Sequence, residues 1–300
     1  MAAIGTVSPA NKWHDKYPEL GTGPLPTDTF TSSDQFSLER EHIFRKVWLN
    51  VCRVEQLSNP GDCFVRDIGI CNTSVVIVRG KDNQIRAFHN MCSHRGNKVV
   101  WDKQRSSQNF TCKFHGWSDS LDGSLKFVPD EDSFFDLTKD CLGLTPVHVD
   151  VWAGFVFVNV APNPEETLQE YLGDIANGLA GYPFAENSAT PFWWRTVVNA
   201  NWKIVKNAFQ EVYHVGFQHK RSIPDSLTSC DNPYAHVLDM QVYPRHGRAS
   251  LYGNPGHQPM PVETHAFKWG SLITGRSGKL RNEFTESALR AGVNPTQRND

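Results

Sequence analysis

Between Ser33 and Val47 the apolar residues Phe36, Leu38, Ile43, Phe44 and Val47 recur at helical spacing, which predicts one amphipathic helix with Ser33 or Asp34 as its cap. Beyond it the period shortens. Runs at 48–57, 63–68, 74–79, 85–91, 109–114 and 149–160 are rich in β-branched and aromatic residues and are separated by turn residues, the pattern of short strands. Gly80-Lys81-Asp82-Asn83 and Asp122-Gly123 fall between such runs and suit hairpin turns, because Gly and Asn tolerate positive φ. The stretch reads as a small antiparallel β domain.

Residues 1–32, rich in Pro, Gly, Ser and Thr, read as an irregular arm. After Ala161 a Pro-Asn-Pro-Glu-Glu-Thr-Leu segment reads as a linker entering a helix, and Phe192-Trp193-Trp194 as part of a strand. From Asn201 to His219 the positions Trp202, Val205, Phe209 and Val212 predict a helix, and the tail beyond Lys220 mixes turns with short strands. Three parts follow: an arm and helix at 1–47 that packs with the C-terminal part, a β domain at 48–162, and a C-terminal domain at 163–300. No internal repeat or low-complexity tract interrupts them.

Composition narrows the partners. With 30 basic and 32 acidic side chains among 300 residues the net charge is -2, so nothing electrostatic draws the chain to nucleic acid or an anionic membrane. The segment Met1 to Gly21 lacks the basic start and apolar run of a secretory signal, and no segment offers the ~18 uninterrupted apolar residues of a membrane span. A cytoplasmic location is expected. The 7 cysteines are too sparse for a disulfide scaffold, which leaves metal binding or burial. Cys52, Cys63, Cys71, Cys141 and Cys230 have no ligand-like neighbours and read as buried small hydrophobes.

Two cysteines stand apart. Cys92-Ser93-His94 and Cys112-Lys113-Phe114-His115 give C-x-H followed by C-x-x-H, each short enough for one tight loop to present a thiolate and an imidazole. Zinc accepts such a set as a tetrahedron, and it is the alternative here. The single residue between Cys92 and His94 is awkward for two ligands of one ion. It is easy when they bind different irons, as in a Rieske [2Fe-2S] centre, where two cysteines hold one iron and two histidines the other. Gly96 and Gly116 let the backbone turn close to such a cluster, and N–H groups there can donate to sulfide and raise its potential.

His214 and His219 form a second candidate site. Five residues apart on an ideal helix, they point about 140° away from each other, so the backbone must loosen between them, and Gly216 is placed to permit it. Glu211 precedes His214 by one helical turn. Two histidines and a carboxylate on one face of an iron leave positions open for oxygen and substrate. Phe209, Phe217, Trp193 and Trp194 either line an apolar pocket or pack in a core.

C-x-H, then C-x-x-H-G-W, then Asn201-Trp202-Lys203 and a carboxylate-x-x-His-x4-His segment resemble, in this order and over nearly the whole chain, the Rieske ring-hydroxylating oxygenase α subunits. The resemblance implies an α+β fold: an antiparallel β Rieske [2Fe-2S] domain and a helix-grip catalytic domain of antiparallel sheet with helices. It implies a Rieske cluster on Cys92, His94, Cys112 and His115, and a mononuclear Fe(II) on His214 and His219. Asn207 would lie near the iron, with Tyr213 in the same network. Glu211, where the family more often has Asp, would bridge to a cluster histidine of the next subunit in a homotrimer, with or without a β subunit. The family's third iron ligand is a carboxylate far beyond the second histidine. Asp225, Asp231, Glu283, Glu286 and Asp300 are available without a convincing motif, so a truncated C-terminus is expected.

The implied activity is O2-dependent hydroxylation of a small organic substrate, an aromatic-ring dioxygenation in hydrocarbon catabolism, with a monooxygenase or demethylase as the rival. No G-x-G-x-x-G follows a predicted strand, so NAD(P)H and flavin belong to a partner, a ferredoxin or flavin reductase. A different class, a pure electron carrier of the Rieske ferredoxin type, leaves the His214/His219 segment without a use.

Overall fold

A computed structural model describes residues 13–21, 23–181, 184, 196–211, 214–219 and 237–251. Tyr213, Val212, Cys230, the Phe192-Trp193-Trp194 strand and all five candidate third ligands lie outside them. The chain forms two compact units, Ser33–Ser188 on the one hand, and Met1–Ser32 with Ala189–Asp300 on the other. Both combine helices with antiparallel strands. No helix among the described residues is long and apolar enough to cross a membrane.

In the arm, α1 (Trp13–Lys16) and α2 (Asp28–Thr31) are single turns. The next helix, α3, is α-helical over Ser33–Glu39 only and passes into a π-turn over Arg40–Phe44. The regular helix expected to Val47 is therefore interrupted: the Arg45 N–H bonds the Arg40 carbonyl five residues back, and the Phe44 carbonyl is taken by the Cys71 thiol at 3.3 Å.

Strands β1 (Leu49–Arg53), β2 (Asp62–Ile68), β3 (Thr73–Arg79), β4 (Ile85–His89), β5 (Gln104–Ser106), β9 (Pro146–Trp152) and β10 (Phe155–Asn159) form one antiparallel sheet in the order β1-β10-β9-β4-β3-β2-β5. Strands β6 (Phe110–Thr111), β7 (Ser118–Asp119) and β8 (Leu125–Phe127) form a second, small one. Along β3, Val76 and Val78 face one core while Val75 and Ile77 face another, so a strand that reads as a continuous apolar run is buried on both faces. The first of these cores includes Cys92, Cys112 and Trp117.

Three sequence expectations resolve differently. The run 149–160 is a hairpin, because Ala153 and Gly154 both take positive φ (49° and 82°) and reverse the chain between β9 and β10. The runs 85–91 and 109–114 end early, at His89 and Thr111, where the chain leaves the sheets for the two Cys/His loops. Cys52, Cys63 and Cys71 are buried, but Cys141 is exposed on a surface turn, Lys139–Cys141. At the Asp122-Gly123 turn, Gly123 has φ 89° and a Cβ there would lie 2.3 Å from Phe88, so only glycine fits.

Helix α4 (Leu168–Gly178) starts at a reciprocal cap between Thr167 and Glu170. In the other unit, helix α5 (Trp202–Gln210) is capped by the Asn201 side chain, which accepts the Lys203 N–H at 3.0 Å and donates to the Phe30 carbonyl at 3.0 Å. Asn201-Trp202-Lys203 is thus a helix-start device. Helix α6 covers Val215–Gln218, and strands β11 (Val237–Val242) and β12 (Gly247–Leu251) pair as a hairpin. Tyr17 of the arm joins this hairpin, donating to the Met240 carbonyl at 3.1 Å and accepting the Val242 N–H at 3.1 Å.

Candidate metal centres

The two Cys/His loops repeat one backbone pattern. In each, the cysteine N–H bonds the carbonyl five residues on (Cys92 to Asn97, Cys112 to Trp117, both 2.8 Å). In each, a glycine N–H bonds back to the cysteine carbonyl (Gly96 to Cys92, Gly116 to Cys112, both 2.9 Å). Both glycines have positive φ, 73° and 75°, and a side chain at Gly116 would press on Pro129. The first loop is closed at its base by Asn90, whose Oδ1 accepts from Val99 N–H (3.2 Å) and Val100 N–H (2.9 Å) while its Nδ2 donates to the Val100 carbonyl (2.7 Å).

These loops bring together the four side chains singled out from spacing. The Cys92 and Cys112 thiols are buried and unbridged. The His94 and His115 rings lie 4.6 Å apart between centroids. Trp117 stacks on His94 at 4.8 Å and 8°, which fixes the plane of that imidazole. Burial pushes the Cys92 thiol pKa up. Burial acts on Cys112 too, but backbone N–H groups of Phe114 and His115 and the Asn97 side chain outweigh it and hold that thiol below its ordinary value.

The residues fit a cluster ligated by two sulfurs and two nitrogens. His94 Nδ1 is buried with no hydrogen-bond partner, which is costly unless something else, such as a metal, takes its lone pair. Two thiols paired with two imidazoles, one of each on either loop, are the donor set of a two-iron Rieske group.

Beside them lies a group that motif spacing does not reveal. Asp119, on β7, is 1% exposed and its Oδ1 has no partner. Burial raises its pKa from 3.8 to about 7. The folded state therefore keeps a proton that the unfolded chain releases. The associated stability is complete below pH 4 and is lost as pH rises to about 7, a difference of up to ~4 kcal/mol. Asp119→Asn is expected to raise the apparent Tm above pH 7 and to flatten its dependence between pH 4 and 7, which thermal melts followed by circular dichroism at several pH values will show.

The second site lies just beyond a break in the helix. The single helix expected over 201–219 ends at Gln210, Glu211 is extended (φ −136°, ψ 160°), and α6 begins at Val215. The loosening thus falls before His214, while Gly216 sits inside α6. His214 and His219 flank α6, and their rings lie 5.3 Å apart between centroids. Glu211 closes on His214: one oxygen accepts from Nδ1 and the other accepts the His214 N–H at 3.1 Å. A carboxylate on Nδ1 sets the tautomer and directs Nε2 outward as a metal donor. Asn207 is exposed on α5. Phe209 and Phe217 are 86% and 82% exposed, so neither packs in the core of this unit nor lines a closed pocket within it.

A cradle of two thiols and two imidazoles on matched loops, followed in the chain by a paired-histidine turn, defines an iron–sulfur protein of the Rieske class. Residues 47–148 match the Rieske [2Fe-2S] domain and residues 186–283 match the ring-hydroxylating alpha subunit catalytic domain. The carnitine monooxygenase oxygenase subunit of Escherichia coli (strain K12) is 32% identical over 195 residues, 65% of this chain and 52% of its own. The 2-aminobenzenesulfonate 2,3-dioxygenase subunit alpha of Alcaligenes sp is 33% identical over 209 residues, 68% of this chain and 52% of its own. A quaternary ammonium Rieske monooxygenase structure aligns with TM-score 0.62 at 32% identity, covering 68% of this chain and 56% of that one. Naphthalene 1,2-dioxygenase from Rhodococcus sp. aligns with TM-score 0.65 at 26% identity, covering 79% and 55%. The chain belongs to the Rieske oxygenase α-subunit family, and it spans about half the length of the curated relatives it matches. The matched domains imply a Rieske [2Fe-2S] cluster and a mononuclear iron as cofactors.

Proposed function

We propose that the chain is the electron-accepting and oxygen-activating component of a Rieske oxygenase that hydroxylates a small organic molecule. The observation that carries this is the co-occurrence in one chain of the Cys92/His94/Cys112/His115 cradle and the His214/His219 pair, whose rings lie 4.6 Å and 5.3 Å apart respectively. A Rieske cluster supplies single electrons, and a ferrous iron with open positions activates O2. Cys92 and Cys112 hold one cluster iron, His94 and His115 the other. His214 and His219 hold the mononuclear iron, with Asn207 and Tyr213 near it. Electrons from NAD(P)H arrive through a partner ferredoxin or flavin reductase, and the working assembly is a homotrimer in the cytoplasm. In domain terms, 48–162 is the Rieske domain and 163–300 the catalytic one, with which the 1–47 arm and helix pack.

Glu211 holds Nδ1 of His214 within its own chain, so we assign it to orienting that ligand as well as to the bridge between subunits. The two roles separate experimentally. Orientation makes Glu211→Gln lose about 10–100-fold in iron affinity, whereas bridging leaves iron bound and slows electron transfer between the centres.

Two reactions fit this chemistry. Aromatic-ring dioxygenation is supported by likeness to the aminobenzenesulfonate and naphthalene dioxygenases. Monooxygenation of a quaternary ammonium compound is supported by likeness to the carnitine enzyme and to the glycine betaine monooxygenase oxygenase subunit of Pseudomonas aeruginosa, 29% identical over 196 residues. Turnover under 18O2 with a chemical or protein electron donor separates them: a ring dioxygenase places two labelled atoms in naphthalene-like products, a monooxygenase one in products of carnitine or betaine. Absence of label from every product would remove the oxygenase reading.

A further inference from the structure

The two loops superpose in backbone pattern, but the residue after each glycine does something different. In the second loop Trp117 reaches across to stack on His94 of the first. In the first loop Asn97 reaches across to the second, its Nδ2 lying 3.6 Å from the Cys112 sulfur. The same Nδ2 donates to the Lys98 carbonyl at 3.1 Å. That carbonyl can only accept, so it fixes which end of the amide is NH2 and aims the second N–H at sulfur.

The sulfurs are consequently unequal. Cys112 carries the Asn97 side-chain N–H against its sulfur at 3.6 Å, reaching it from the opposite loop. We propose that Asn97 is a positioning residue that raises the reduction potential of the cluster by donating a hydrogen bond to the Cys112 sulfur. An electron added to the cluster increases the negative charge on its sulfurs. An N–H donor stabilises that charge more in the reduced state than in the oxidised one and moves the potential upward. Asn97 works in this way only if Cys112 holds the cluster, as proposed above.

The test is a redox titration of the cluster-loaded full chain, followed by EPR, for wild type, Asn97→Ala and Asn97→Gln. Asn97 also lines a surface hollow of about 320 Å³ with Trp101, Lys113 and Phe114, so the longer amide of Gln has room to reach the sulfur. The expected result is an intact cluster signal in all three. Reduction of the Ala variant should be less favourable by about tenfold, which is about 59 mV for one electron, with most of the loss restored by Gln. An unchanged potential in the Ala variant with an intact cluster overturns the proposal. Loss of the cluster from both variants also overturns it, since Asn97 would then serve only to fold the loop. A wild-type chain that takes up no cluster would instead refute the ligand assignment on which it rests.

Discussion

Asn90→Ala is expected to yield protein that folds its sheets yet fails to retain a cluster. The Asn90 side chain bonds three buried main-chain groups, the N–H groups of Val99 and Val100 and the Val100 carbonyl, at 3.2, 2.9 and 2.7 Å. Alanine leaves all three unsatisfied in a core where water does not reach. At about 1–3 kcal/mol for each orphaned group, the loss is at least ~3 kcal/mol. It falls on the base of the loop that carries Cys92 and His94, so the loop should open while the remaining strands hold. Iron and sulfide analysis together with far-ultraviolet circular dichroism will show it: cluster content near zero with retained β signal. As a control, Asn59→Ala removes an exposed asparagine from the unit's surface and should leave the cluster in place. Full cluster occupancy in the Asn90 variant would mean that the loop is held by its ligands alone.

His214→Ala should abolish turnover while sparing the cluster spectrum. His214 is a proposed iron ligand, its Nδ1 is held by Glu211 and its ring lies 5.3 Å from that of His219, whereas the cluster cradle is built from residues 90–119 in the other unit. Without this imidazole, one histidine and whatever carboxylate completes the set cannot hold ferrous iron tightly. Iron should fall from about three to about two per two sulfides, with the reduced-cluster EPR signal unchanged. Turnover that survives the substitution would take this segment out of the mechanism.

How legible these features are in the sequence depends on whether a local rule encodes them. The Cys/His loops are legible because ligand type and spacing are themselves the chemistry, and the glycines at 96 and 116 mark the positive φ that each loop requires. The strand order, by contrast, joins β1 to β10 and β4 to β9 across long separations, and no local pattern specifies it. The hairpin at Ala153-Gly154 is hidden because alanine rarely takes φ 49°. The helix break at Glu211 is hidden because apolar spacing continues through it. Asn90, Asn97 and Asp119 carry no motif, and only their burial or their partners in the folded chain expose them.

Pulsed EPR of the dithionite-reduced chain, reconstituted with iron and sulfide, tests the cluster assignment most directly, because imidazole nitrogens bound to a paramagnetic cluster give resolvable 14N couplings. The expected result is a two-iron, two-sulfide signal with two strongly coupled nitrogens, reduced to one in either His94→Cys or His115→Cys. Tightly bound zinc without labile sulfide, or a cluster showing no strongly coupled nitrogen, would contradict it.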